Sequence, residues 1–283
     1  MKIIDCRVRP PYKSIGESFL WADNRGGLGR KLGGDTARSV KEKSMELLLE
    51  EMEALNIYKG VVTTRKIYNN NNHDLLDLLK DYPDKFIAVP NIDPKEGQAA
   101  LDEIDELVGK GPCKAIILEN GIAGMGIGAA EGEAWTDHDK RNYPVYEKCM
   151  NENIPLLLTC SAVAYAVADA NIPTHIDIVA KDFPKLKIMV AHAAWPWVQS
   201  MCGIAFKRAN VYLSPDVYMM HAVGYRDYID AANYLLQDKM TFGSAYPGAD
   251  MKSCIDFTFN CGLKEEVLEK FMYLNAAKFF NAQ

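Results

Sequence analysis

What this sequence lacks narrows it before anything it contains. There is no excess of positive charge: 32 Lys and Arg stand against 38 Asp and Glu, a formal net charge of -6. A general nucleic-acid binder needs a basic face, so no nucleic-acid partner is expected. A small anionic substrate stays open, because a basic pocket can sit in an acidic protein. The opening MKIIDCRVRPP has no apolar core followed by small residues, so no secretory leader is expected. No run suits a bilayer. The most apolar stretch, Ile154 to Ile172, is interrupted by Thr159, Ser161 and Tyr165 and carries Asp169 near its end. Its front half reads as a buried strand. The seven cysteines (Cys6, Cys113, Cys149, Cys160, Cys202, Cys254 and Cys261) include no CxxC pair. An odd count without that spacing suits reduced thiols in a cytoplasm, with no membrane partner.

What is present is a regular alternation. Short apolar runs are followed by stretches with helical periodicity. Strands are expected at Lys2–Cys6, Tyr58–Thr63, Phe86–Asn91, Cys113–Leu118, Pro155–Thr159, Leu186–Ala191, Val211–Leu213 and Met240–Gly243. Helices are expected at Lys43–Asn56, Asp74–Asp81, Lys95–Gly109, Tyr143–Asn153, His175–Asp182, Trp197–Lys207, Asp227–Leu236 and Lys264–Phe280. The strands read as continuous apolar runs, as strands covered on both faces should. Eight evenly spaced β-then-α units without a linker predict an α/β fold, a closed (β/α)8 TIM barrel forming one domain over residues 1–283. A doubly wound open sheet is the competing architecture.

In such a barrel the residues just past each strand form the catalytic mouth. They are Arg7 and Arg9, Thr64 and Arg65, Asn91, Glu119, Thr159 and Cys160, His192, Asp216, and Ala245 with Tyr246. Two long connections also follow strand ends, at about residues 10–38 and 120–142. The first carries Trp21, Arg25 and several glycines; either could be a lid, a subunit contact or a decorative insertion.

These segments resemble a known family. IIDCRVRP, VAHAAWPW, VYLSPDVY, FGSAYP and LNAAKFF occur in the order seen in the amidohydrolase-2 group of the amidohydrolase superfamily, related to aminocarboxymuconate-semialdehyde decarboxylase. The resemblance implies an amidohydrolase-like barrel with hydrolase or carbon–carbon lyase chemistry. It also marks departures. The group's His-x-His pair aligns with Arg7 and Arg9, its fifth-strand His with Thr159 or Cys160, and its eighth-strand Asp, a metal ligand and base, with Ala245. Only His192 is kept. A catalytic zinc needs about three protein ligands, and guanidinium cannot become one. No catalytic metal or other cofactor is therefore expected.

Arg7 and Arg9 are two residues apart on a strand and should share a face. There they could clamp a carboxylate or stabilise an oxyanion, or pair with Asp5, Glu119 or Asp216. His192 is the candidate general acid or base, and Asp216 and Glu119 could act as bases or orient it. Arg65, Cys160, Trp195, Tyr218 and Tyr246 are candidate substrate contacts, with Trp197 a further aromatic near the mouth. Cys160 could also be a nucleophile beside His192, or a buried thiol that only packs. GMGIGAAEG is a weak match to a nucleotide loop, because no apolar helix follows it directly. His138 reads as part of a solvated loop.

Two classes of function follow. One is a metal-independent hydrolase of a small carboxylate, with aromatic acids and lactones as candidates, and with decarboxylase or lyase chemistry as the alternative. The other is a non-catalytic barrel that binds an anion or a partner. A homodimer or higher oligomer is expected.

Overall fold

The computed structural model describes residues 1–17, 21, 27–119, 135–162 and 172–282. Arg25, GMGIGAAEG, Tyr165 and Asp169 lie outside the described residues, as does most of the 120–142 connection.

The strands are β1 (Ile3–Val8), β2 (Ile57–Thr63), β3 (Phe86–Val89), β4 (Ile116–Leu118), β5 (Leu156–Ser161), β6 (Ile188–Trp195) and β7 (Val211–Ser214). They pair in parallel in the orders β1-β2-β3 and β4-β5-β6-β7. Three parallel bridges close the circuit. Asn91 pairs with Ile117, Leu213 with Met240, and Tyr246 with Val8. The segment from Met240 to Tyr246 therefore stands in the eighth place, between β7 and β1, and an open sheet is ruled out. The fold is a parallel TIM barrel.

The helices are α1 (Gly27–Lys31), α2 (Arg38–Glu42), α3 (Met45–Ala54), α4 (His73–Asp81), α5 (Gln98–Ile104), α6 (Tyr143–Asn151), α7 (Pro173–Asp182), α8 (Val198–Lys207), α9 (Tyr225–Asn233), α10 (Met251–Asn260), α11 (Glu265–Glu269) and α12 (Asn275–Phe280). Side-chain caps start α3 and α10. Ser44 caps α3 by accepting from the Leu47 amide at 3.2 Å, and α3 then buries Leu48 and Met52 against the barrel. Among the described residues no helix is long and apolar enough to cross a membrane.

Two expectations about strands need correction. Met240–Gly243 is not a regular strand. Part of its backbone pairs with its neighbours, the Thr241 amide donating to the Leu213 carbonyl and the Phe242 carbonyl accepting from the Cys6 amide, but the Phe242 amide donates to the Phe271 carbonyl and the Ser244 amide to Asp5. The side chain of Asn275, in the LNAAKFF segment, holds the Met240 carbonyl at 2.7 Å. The sixth strand is also longer than Leu186–Ala191, because Trp195 rejoins the ladder opposite Ser161.

The barrel interior has two layers. At the strand starts Ile4, Cys6, Val61, Ile87, Val89, Ala115, Ile117, Leu157, Met189 and Tyr212 form one apolar cluster with Phe279 and Phe280 of α12. The C-terminal helix thus plugs the floor, with Phe279 edge-on to Tyr212 at 5.2 Å. Above this layer the inward residues turn polar, and Arg7, Thr63, Thr159, Ser161, Ser214 and Asp216 are all buried.

Candidate active site

Ladder irregularities aim the two central groups. Between Asp5 and Val8, β1 takes three steps where β2 takes two, from Gly60 to Val62. Such a bulge reverses strand parity. Cys6 stays with the apolar floor, while Arg7 reaches Glu119 and Asp216. The Asp5 carboxylate fixes the bulge, accepting from the amides of Arg7 at 3.0 Å and Ser244 at 2.9 Å. On β6 four steps, Ala191 to Trp195, oppose two on β5, Thr159 to Ser161. The residues between, opposite Cys160 alone, are His192, Ala193 and Ala194, with φ of 67°, 43° and 60°. Asp216 (φ 45°) and Ala245 (φ 61°) share this left-handed conformation. Non-glycine residues rarely adopt it, and strain of this kind gathers at functional sites. Gly243 fits beneath, because a Cβ there would lie 3.1 Å from the Asp216 Cβ.

The result is a buried charged cluster. His192 Nδ1 lies 3.0 Å from Asp216 Oδ1 and 2.8 Å from Oδ2. Arg65 Nη2 meets Glu119 Oε1 at 2.9 Å, and Thr159 donates to the same oxygen at 3.1 Å. Arg7 stands between the acids, its Nη2 3.9 Å from Glu119 and its Nε 3.8 Å from Asp216. These last two distances are too long for hydrogen bonds. Arg9 forms no ion pair among the described residues, and its Nε and Nη2 have no hydrogen-bond partner there. Arg7, Arg9 and Arg65 are only 2%, 3% and 7% exposed, so water screens them little.

Burial and charge set the protonation states. Burial pushes His192 down from 6.5 to about 4, and Arg7 and Arg65 act the same way against the pull of Asp216. The ring is neutral near pH 7. Burial raises the Tyr218 phenol to about 12, and its hydroxyl pairs with Ser161. Burial disfavours the charge on Arg65, but Glu119 and Tyr68 together more than offset it. Arg7 is lowered by burial and by Arg65, and Arg9 lies well below its usual range through burial and repulsion from both.

An aromatic wall borders the cluster. Tyr218 stands edge-on to His192 at 5.2 Å and is stacked on Trp195 at 5.0 Å. Trp195 is tied down by its indole N–H, which donates to the Val223 carbonyl at 2.9 Å.

The mouth therefore brings together Arg7, Arg9, Arg65, Glu119, His192, Asp216, Tyr218 and Trp195. Two other candidates point elsewhere. Cys160 lies between Thr159 and Ser161, which face inward, so its thiol faces the outer core. It is fully buried with Leu156 and Leu158, and its pKa is raised well above 9. Tyr246 is also fully buried, and its hydroxyl donates to Ser39 at 2.9 Å. His138 is not solvated at both nitrogens: Nδ1 is buried, and the ring packs on His175 at 4.3 Å.

Some supporting residues went unread in the sequence. Tyr68 lies 3.4 Å from Arg65 Nη1, and Asn70 accepts from the Arg65 amide at 3.0 Å. Asn72 joins Thr64, just past β2, to the Asn91 carbonyl, just past β3. The run of four asparagines at 69–72 just past β2 was the available signal.

A family model described as Amidohydrolase matches residues 4–282. The chain belongs to this amidohydrolase family. No protein of curated function matches it. Among solved structures, an uncharacterised TIM-barrel protein from Bordetella bronchiseptica shares 35% identity, with 99% of each chain covered and a TM-score of 0.89. The barrel also matches 5-carboxyvanillate decarboxylase from Sphingomonas paucimobilis, at 15% identity over 100% of this chain and 99% of that one, TM-score 0.69. A dihydroxybenzoic acid decarboxylase from a Polaromonas species, solved with bound manganese, matches at 13% identity over 99% and 97% of the chains, TM-score 0.69. At these last identities the likeness is one of fold.

Among the described residues no three His, Cys, Asp or Glu side chains converge to hold an ion. The positions that would face one carry guanidinium groups, and both carboxylates at the mouth stand against arginine. A divalent cation there would meet three fixed positive charges.

Proposed function

We propose that this amidohydrolase is a metal-independent hydrolase of a small substrate that bears a carboxylate and an activated ester or lactone. The observation that carries this reading is the His192–Asp216 pair beside three buried arginines. The Asp216 carboxylate accepts the Nδ1 proton, which leaves Nε2 as a lone-pair base. As water attacks the acyl carbon, its proton passes to Nε2. Arginine stabilises the oxyanion that forms, in place of a metal. The acyl–oxygen bond then breaks, and the Nε2 proton goes to the departing alkoxide. Trp195 and Tyr218 favour a flat substrate.

Decarboxylation of a similar acid is the second reading, favoured by the solved decarboxylases of the same fold. It needs a proton donor for the carbanion left behind. A His192 that is neutral at pH 7, with its one N–H on Nδ1 donating to Asp216, is poorly placed to be that donor. Hydrolysis is therefore preferred.

The decisive experiment is a screen of carboxylate-bearing lactones and aryl esters with protein stripped by chelator, reading both acid release and carbon dioxide. Acid release should survive stripping and fall roughly 10²- to 10⁴-fold in His192→Asn. Activity that vanishes on stripping and returns with zinc or manganese would refute metal independence. Carbon dioxide as the product would establish the lyase instead. Undiminished turnover by His192→Asn would remove the proposed base. A barrel that only binds would turn over nothing in the screen.

A further inference from the structure

We propose that Arg9 anchors the substrate by taking one carboxylate in bidentate fashion on its Nε–Nη2 edge, while Arg7 serves the reacting bond. This deepens the proposed reading of the site and rests on its claim of a carboxylate-bearing substrate.

Arg7 and Arg9 present the same free atoms, Nε and Nη2. Those two N–H groups form one edge of the planar fork, and their spacing matches the two oxygens of a carboxylate. The edges differ in what surrounds them. That of Arg7 is flanked by Glu119 at 3.9 Å and Asp216 at 3.8 Å, and Asp216 holds His192. A substrate carboxylate with its full charge would meet two acids already in place there, whereas the reacting bond needs a cation close to the base that Asp216 holds. The edge of Arg9 has no such neighbour among the described residues, yet the side chain is 3% exposed. Its backbone is fixed, with the amide donating to the Tyr246 carbonyl at 3.0 Å. Glu119 attracts the guanidinium only from beyond ion-pair distance, and a buried cation that no acid pairs with is costly unless something from outside supplies a partner.

The arginine that lacks a partner at the mouth is Arg9. Arg65 pairs with Glu119, and Arg7 stands between Glu119 and Asp216. Asp5, raised to about 6 by burial, is ionised near pH 7, but among the described residues it forms no ion pair with the arginines, and two backbone amides donate to its Oδ1. One carboxylate supplies the missing partner, and a second negative charge would face Glu119 and Asp216.

The test uses benzoate, a planar monocarboxylate suited to the Trp195–Tyr218 wall, with benzamide and phenylphosphonate as comparators. Affinities are read by calorimetry at pH 7. Benzamide, of the same size but uncharged, should bind at least about tenfold more weakly than benzoate. Phenylphosphonate should bind no more tightly than benzoate. Arg9→Gln should weaken benzoate by at least about tenfold, Arg9→Lys should recover only part, and Arg7→Gln should change it by less than about threefold. The ligand-free Arg9→Gln protein should also melt a few degrees higher, because an unpaired buried charge is gone.

Equal binding of benzoate and benzamide by the wild type would overturn the proposal, as would tenfold tighter phenylphosphonate. So would full benzoate affinity in Arg9→Gln, or a loss confined to Arg7→Gln. A lower melting temperature or failure to fold in Arg9→Gln would make Arg9 structural and likewise refute it. The outcome is independent of turnover: if hydrolysis is the wrong chemistry, benzoate still binds through Arg9, and His192→Asn still binds it.

Discussion

The floor and the mouth of this barrel are made by the same strands within a few residues of each other, yet they follow opposite rules. On the floor, regular pairing directs alternate residues inward, and Ile4, Val61, Ile87, Leu157, Met189 and Tyr212 pack against Phe279 and Phe280. At the mouth the ladder is broken at Arg7 and at His192, and the inward residues are charged. The floor is the source of stability: each buried aromatic removes apolar area from water. The mouth spends some of that stability on left-handed backbone at His192 and Asp216 and on buried cations. The two regions should therefore respond differently to substitution.

The largest effect on stability is expected from the floor. Phe279→Ala should cost about 3–5 kcal/mol, because it opens a cavity against Tyr212 and Phe280. Chemical denaturation measures this cost. Turnover per folded molecule should stay at the wild-type level, provided it is measured well below the lowered melting temperature. A fall in turnover without loss of stability would mean that the floor is not separate from the mouth.

The next effect belongs to the mouth and appears only with pH. His192 sits at about 4 in the folded protein against 6.5 when free. A lowered pKa stabilises the fold above 6.5, and this contribution is lost as pH falls from 6.5 towards 4. Its size is on the order of 3 kcal/mol. Asp5, pushed up to about 6 by burial, has the opposite sign, gaining stability as pH falls through that value. The difference between wild type and His192→Asn isolates the histidine, since Asp5 is common to both. Denaturation at pH 7 and pH 4.5 should show the wild type losing stability relative to the variant. The hydrolytic rate should hold from pH 8 down to about 5 and fall only below. An acid limb near 6.5 would mean that the ring is not held neutral.

Much of this contrast was legible in the sequence, and the illegible part has a physical cause. Apolar strand runs and their even spacing gave the barrel, and strand-end positions gave Arg7, Arg9, Arg65, Glu119, His192 and Asp216 as neighbours. The pairing partners were not readable, because they depend on register. A shift of one residue exchanges the faces of a strand. That is why Cys160 was grouped with the mouth, although it points away from it. It is also why the eighth segment was expected to be regular, when its amides are claimed by Phe271 and by Asp5. Tyr246 followed an eighth-strand motif to the mouth but commits its hydroxyl to Ser39, a partner 207 residues away.

The smallest effect should come from the boundary between the two regions. Asp5 holds the bulge that separates inward Cys6 from inward Arg7. Asp5→Ala orphans the amides of Arg7 and Ser244 but also removes a carboxyl that burial disfavours. The opposing terms leave a net cost of roughly 1–3 kcal/mol. The kinetic response should exceed what that loss suggests, because the Arg7 guanidinium is no longer aimed between Glu119 and Asp216. Turnover should fall while benzoate affinity, which depends on Arg9, changes little. Asp5→Asn keeps an acceptor oxygen for both amides and should restore most of the rate. If Asp5→Ala slows nothing, the bulge does not aim Arg7 for the reaction. If it weakens benzoate as much as it slows turnover, Arg7 and Arg9 respond as one unit and the division between them fails.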